Sequence, residues 1–480
     1  MKPGAPQGSP RFPWGALARP LPKKKRTSLV RSLRGLLRWQ RTLKGWPAIT
    51  GAPDATPFVS LYGNGRLCGC FGSEEGRPGE RVARAFLRAM EDARHGGAHR
   101  ADRGALVAQV SYARDVRRVS SVEEALARIE PGTHGVVLVR PSGEAVILVP
   151  SVARDGGTTA RALLDALARK AKIDFDAIAE GTLFTFEADE IVARSGASLD
   201  RARPVTSARR ASLAAEWLSR LVREDGFVHF GVDARARNVH ATGIMHHGRA
   251  AIVVRALAEH ATHAADADRA RDWLERDVKA ALRGRTVDAW PTAKEVVAGT
   301  IALACMAGLP LARELERFVG ADALTASPWH AAQVAAVLGS AAPSAVWATC
   351  VTSLTTEPWA PWTVVAAHAR GDAETLERAA TALEGSIRSA PPHEGGTTRT
   401  DVPDLALTAL TIEALAPLRR TSARAAIDRA RRYLARWQFV PGLVPASLEP
   451  DLAEGAFPLS PVVPFARGDV TAHALLALTS

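Results

Sequence analysis

Cysteine is scarce in this chain, with four residues in 480, and two of them stand one residue apart in GRLCGCFGS, Gly65 to Ser73. Without a Cys-x-x-Cys pair there is no thioredoxin-like redox motif, and without a second ligand pair there is no zinc-finger spacing. Gly-x-Gly-x-x-Gly and Gly-x-x-x-x-Gly-Lys-[Ser/Thr] loops are missing too, which removes the usual phosphate cradles. No cofactor and no metal is called for. The basic start is not followed by a compact apolar core and cleavage site, so no secretory leader is read and a cytoplasmic location is expected. The uncharged run from Ala323 to Thr356 is broken by Pro328, His330, Gln333, Gly339 and Pro343, which suits two short buried helices better than a membrane span.

Acidic residues are absent from the first 50 residues, where basic ones are dense. The formal net charge is +12, and the first 50 residues hold five Lys and seven Arg with no Asp or Glu, so the rest of the chain is neutral. The basicity belongs to an arm, residues 1–50. Its first half is rich in Pro and Gly and reads as disordered, whereas SLVRSLRGLLRWQRTLKGW sets Leu29, Leu33, Leu36, Leu37 and Trp39 at helical spacing opposite arginines. Such a helix either lies on an acidic surface, RNA or membrane, or docks on the next domain with a solvated basic face.

Hydrophobic residues make up 47% of the chain, enough for more than one core. Residues 51–195 mix strands and helices: PFVSLY and RLCGCFG flank an Asn64-Gly65 turn, Ser121 to Glu124 forms a capping box, and GVVLV and AVILVP read as a buried hairpin. This part is α+β. From residue 205 to 480 the texture changes to Ala-rich helices with almost no strand signal, about a dozen segments that pair into helical hairpins. The chain is therefore multidomain.

Alternation along an extended strand puts Arg66, Cys68 and Cys70 on one face, with Gly69 and Gly72 leaving backbone amides accessible. A thiol there acts as a nucleophile only if cations or amides lower its pKa, and the alternative is that two small cysteines fill a tight core. Cys70 is the candidate catalytic thiol. Arg66, Cys68, Gly69 and Gly72 are its candidate ligand-binding neighbours.

FVSLYGNGRLCGCFGS, followed by ALVAQVSYA, SSVEEALARIEPGTHGVVLV and VILVPSVA, resembles the AMMECR-type domain, a family named from a chromosomal region tied to Alport syndrome with midface hypoplasia. The family's Leu-Arg-Gly-Cys-Ile-Gly signature maps to Leu67, Cys68, Gly69, Cys70, Phe71 and Gly72, and its Gly-x-His-Gly to Gly132, Thr133, His134 and Gly135, which makes His134 a second candidate. The signature arginine is replaced by Cys68, and the family's Asp-Pro-Arg-Phe segment after the first helix has no clear counterpart in EDARHGGAHRADRG. The resemblance implies a protein of poorly defined biochemistry, an enzyme or accessory component of a modification pathway, with Memo-like and radical S-adenosylmethionine proteins as implied partners.

ASLAAEWLSRLVREDGFVHFGV and the segment ending in LAEGAFPLSP share a helix, a glycine turn and an aromatic, and resemble the repeats of (α/α)6-like toroids, the six-hairpin glycosidase-like and terpenoid-cyclase-like folds. In such a toroid the starts of the inner helices would gather Trp290, Trp329, Trp359 and Trp362 at a mouth holding a small molecule or peptide, with Asp225, Glu295, Asp404 and Asp469 as carboxylates. Packing between hairpins is the competing reading of the indoles. Asp404 and His247, the latter among six histidines between His229 and His263, are the candidates for chemistry. The expectation is an AMMECR-type domain with Cys70 at its site, fused to a toroid that binds the substrate. A non-catalytic scaffold and a glycan-active toroid are the alternatives.

Overall fold

A computed structural model describes residues 12–42, 47–95, 106–194, 205–243, 245–319, 327–356, 361–391, 393–397, 402–441 and 444–480. The chain divides into two compact units, Met1–Arg203 with Pro441–Glu449, and Pro204–Val440 with Pro450–Ser480.

The first unit is an antiparallel sheet in the order β2-β1-β3-β6-β4-β5, built from β1 (Phe58–Gly63), β2 (Arg66–Gly72), β3 (Leu106–Val119), β4 (His134–Val139), β5 (Ala145–Leu148) and β6 (Thr182–Arg194). Its helices are α1 (Lys23–Thr42), α2 (Pro78–Met90), α3 (Val122–Arg128), α4 (Pro150–Gly156) and α5 (Ala160–Ala171). The capping box works as the sequence implies, Ser121 Oγ accepting the Glu124 N–H at 3.1 Å.

Of the two roles open to the arm's helix, the structure shows docking on the next domain with a solvated basic face. Leu29, Leu33, Leu36 and Leu37 of α1 are 0–2% exposed in the core formed by α2, β1, β3 and β6, so the helix is docked through its apolar face. Lys23, Lys24, Lys25, Arg31 and Arg38 face solvent. Residues 12–22, read as disordered, also pack on this unit: Phe12 and Trp14 meet Phe184 and Phe58 edge-on, and the Leu17 N–H donates to Ala113 O at 2.8 Å. Two aromatics with apolar partners outweigh the local Pro and Gly content. The segment 441–449, expected in the helical part, also belongs to the first unit: the Arg194 guanidinium donates to the carbonyls of Val444, Pro445 and Leu448, and Ser447 Oγ to Asp155.

In the second unit α7 (His246–Ala258), α9 (Lys294–Met306), α11 (Pro328–Leu338), α13 (Pro361–Arg370), α15 (Leu405–Leu415) and α18 (Gly468–Thr479) touch in succession, and α18 returns to α7, closing a ring. Outside it lie α6 (Ser207–Leu221), α8 (Ala264–Leu282), α10 (Ala312–Val319), α12 (Ser344–Thr356), α14 (Ala373–Ser386) and α16 (Thr421–Trp437), each against an inner helix. The arrangement is an α/α toroid. The inner helices are apolar all round because neighbours enclose them, whereas outer ones such as α10 and α16 carry an apolar stripe and a charged face.

A small four-stranded sheet, absent from the sequence reading, joins β7 (Gly231–Asp233), β8 (Asn238–His240), β9 (Pro458–Ser460) and β10 (Val463–Arg467), and α17 (Pro450–Ala453) precedes β9. Three-residue strands carry too little alternation to be seen in a sequence.

The glycine turn is the toroid's repeated joint. Gly226, Gly395 and Gly455 all have φ between +85° and +97°, and a Cβ on each would fall 2.1–2.4 Å from a carbonyl of the next outer helix round the ring, at Arg269, Arg429 and Leu213 respectively. Four residues along that helix stands Trp273, Tyr433 or Trp217, its Cβ 3.0 Å from the same point. Left-handed backbone and close approach together demand glycine.

Candidate functional site

The hairpin β1-β2 is irregular. Leu61 pairs with Gly69 but Tyr62 with Leu67, so Cys68 is the extra residue of a bulge and strict alternation stops there. Cys68 packs against the core that includes α1 and α2, and its thiol donates to Arg66 O at 3.4 Å. Arg66 is exposed near the hairpin turn and does not line the cleft that holds Cys70. Sequence alternation had put all three on one face, and the bulge is why they separate. Gly69 serves packing: a Cβ there would lie 1.8 Å from Ala89 O at the end of α2. Gly72 lines the cleft against the Phe58 ring.

Cys70 lines a cleft of about 410 Å³ together with Trp14, Ser73, Arg88, Arg94 and Lys170. Asp92 and Arg94, just beyond α2, clamp its backbone: Asp92 Oδ2 accepts the Cys70 N–H at 3.0 Å, and Arg94 Nη2 donates to Cys70 O at 2.9 Å. Arg94 also grips Asp92 through two bonds of 2.8 Å. Burial raises the Asp92 pKa, but the bonds from Arg94 and Cys70 outweigh it and bring the carboxyl down to about 2. Asp92-Ala93-Arg94-His95 thus stands where the resemblance puts Asp-Pro-Arg-Phe. Sequence reading missed it because two of its four residues differ, although the Asp-x-Arg spacing was there.

Burial pushes the Cys70 pKa up, and the opposing pull of the Ser60 hydroxyl, which donates to Sγ at 3.3 Å, and of Lys170 and Arg94 does not compensate. Lys170 Nζ donates to Ile147 O at 2.7 Å, and among the described residues no carboxylate pairs with it. Arg88 and Arg94 sit 5.4 and 5.7 Å from the centre of the Phe71 ring. The carboxylate of Glu75 is on the exposed rim, 3.0 Å from Arg84 and 3.8 Å from Arg88. Ser73 Oγ is buried with no partner among the described residues.

The other candidates hold the fold. His134 is buried, and its Nδ1 accepts the Glu130 N–H at 3.0 Å, closing the turn before β4. His247 stacks on Trp273 with Trp290 edge-on, 3.4 Å from Asp277, and burial lowers its pKa. Its neighbour His246, against Phe227, is pushed down to about 4 by burial, with His247, His229 and Arg249 adding to it. Among the described residues no group of three His, Cys, Asp or Glu could hold a metal ion, and no helix is long and apolar enough to cross a membrane.

Asp404 caps α15, accepting the Leu407 N–H at 3.1 Å. Asp225 pairs with Arg223 and Asp469 with Arg467. None of Asp225, Glu295, Asp404 and Asp469 lines the two larger cavities. Trp329 and Trp362 are joined: with the Gln333 amide oxygen turned towards them, their indole N–H groups donate to it at 3.1 and 3.3 Å, bridging α11 and α13. Trp359 lies outside the described residues.

An antiparallel sheet with a thiol cleft at one edge defines the class of the first unit, and comparison agrees. Residues 23–191 match the AMMECR1 family model, so this unit carries an AMMECR1 domain that includes α1. No curated protein matches the chain. An uncharacterised protein of Pyrococcus horikoshii is similar, at 19% identity over 36% of this chain and 98% of that one, with a TM-score of 0.31. A glycosidase is similar at 14% identity over 57% of this chain and 96% of that one, with a TM-score of 0.31, and a single-residue variant of a glycosidase at 13%, 56%, 96% and 0.35. Such low TM-scores decide neither fold nor activity, and the toroid rests on its own helix contacts.

Proposed function

We propose that the AMMECR1 unit is a recognition module for a small anionic group, a phosphate or carboxylate on a substrate or peptide, and acts as an accessory component. Ser73 carries the reading: among the described residues its buried hydroxyl has no partner, and it lines a cleft in which Lys170 pairs with no described carboxylate. A bound oxyanion would accept hydrogen bonds from Ser73, Lys170 and Arg88 together. A thiol kept protonated by burial argues against nucleophilic chemistry at Cys70. In this reading the Memo-like and radical S-adenosylmethionine partners implied by the resemblance would perform the reaction.

Titration of the full chain with inorganic phosphate, followed by thermal shift against chloride at equal ionic strength, tests it. Saturable stabilisation that Ser73→Ala and Lys170→Gln both weaken is expected. Equal response to phosphate and chloride would remove the anion site.

A further inference from the structure

The second cavity lies in the toroid, where the sequence had set one near Trp362. About 290 Å³ in volume, it is bounded by late residues of the inner helices: Arg255 on α7, Met306 on α9, Ala336 on α11, His368 on α13 and Glu413 on α15. Pro361 and Trp362 at the start of α13 line it too, so one of the indoles expected around a toroid cavity borders this one. Trp362 stands six residues before His368, so the cavity reaches about 9 Å along that helix. The volume is at the lower end of the roughly 300–1,000 Å³ typical of small-molecule sites.

The walls are apolar, with Met306, Trp362, Val365, Leu410 and Leu418, and the polar lining residues are Arg255, His368 and Glu413, the first and last of them paired. The Glu413 side chain is 8% exposed, and its Oε1 accepts the His473 Nδ1–H at 2.7 Å. Its Oε2 stands 3.6 Å from Arg255 Nη1, beyond hydrogen-bond distance, while Arg255 Nε is committed to Glu259 at 3.2 Å. A donor and an acceptor of opposite charge therefore border an apolar hollow as an ion pair too long for a direct hydrogen bond, with Arg255 33% exposed and Glu413 8%. A group that lies between them can hydrogen-bond to both.

We infer that this cavity binds a small uncharged alcohol or phenol with a compact hydrocarbon body. Its hydroxyl donates to Glu413 Oε2 and accepts from Arg255 Nη1, and its body lies against Trp362 and Leu410. The pair reads neutrality. A carboxylate in the same place meets Glu413, and an ammonium meets Arg255, so each charged analogue gains one partner and is repelled by the other.

Three probes on one skeleton decide it: 3-phenylpropan-1-ol, 3-phenylpropionate and 3-phenylpropylamine, titrated into the full chain by ligand-observed NMR. The alcohol is expected to bind saturably and about tenfold tighter than either charged probe. Glu413→Leu should lower alcohol affinity about tenfold and narrow its advantage over the carboxylate. Ala336→Trp fills the cavity and should abolish binding of all three. Leu418→Trp, placed at the edge, serves the same purpose if Ala336→Trp does not fold. Equal affinity for the three probes, no saturable binding, or alcohol binding unchanged in the folded filled variant would each overturn the assignment.

Discussion

Asp92 holds Cys70 by its backbone, its Oδ2 accepting the Cys70 N–H at 3.0 Å while Arg94 closes on the Cys70 carbonyl from the other side. The cleft floor is thereby fixed by a carboxyl held near a pKa of 2. A depressed carboxyl stabilises the folded state above its unfolded pKa of about 4, and that contribution disappears as pH falls through the folded value. For this shift it amounts to about 2 kcal/mol. Asp92→Asn should lose about that much stability at pH 7, and its denaturation midpoint should change less than the parent's between pH 4 and 2. Parallel acid profiles would mean that Asp92 is not the group responsible.

Cys70 should alkylate more slowly than a free thiol at pH 7, because burial favours its protonated form, and the rate should climb as pH rises above 9. Lys170→Met removes a cation that favours the thiolate and should slow labelling further. Peptide mapping after timed iodoacetamide treatment separates Cys70 from Cys68. Fast labelling at neutral pH would restore Cys70 as a nucleophile.

Gly69→Ala drives a methyl group into the Ala89 carbonyl, which is backbone and cannot swing aside. We expect a loss of about 3 kcal/mol in thermal denaturation. Gly385 on α14 meets nothing within 4 Å, so Gly385→Ala should be neutral or gain up to about 1 kcal/mol.

Gln333→Leu removes the shared acceptor of Trp329 and Trp362 and strands two indole N–H groups inside the ring. The cost should be about 2–4 kcal/mol, read on the melting transition of the second unit. A variant that melts with the parent would show that the two indoles have other partners.

Where a pattern had a long period or a distinctive spacing, the sequence was readable. The long strands, the Ser121 cap, the thiol signature and the apolar inner helices all follow from local pattern. The bulge at Cys68 did not, because alternation assumes regular pairing and pairing is set by the partner strand. Arg94 and Lys170 reach Cys70 from 24 and 100 residues away, a proximity that only the sheet and α5 create. Ser73 sat inside the quoted motif, yet nothing in its neighbours announced a buried hydroxyl. Arg255 and Glu413 were not read as neighbours either, since 158 residues of chain separate them.

Ring closure between α7 and α18 has a bearing on synthesis. As the polypeptide leaves the ribosome, the toroid remains an open horseshoe with apolar helix flanks uncovered until its last dozen residues emerge. The AMMECR1 unit waits almost as long, for Asp155 and Arg194 find Ser447 and the carbonyls beside it only when the chain has been made past residue 449. Neither half is completed before the other is nearly finished, so nascent chains would spend most of translation in need of a chaperone's shelter.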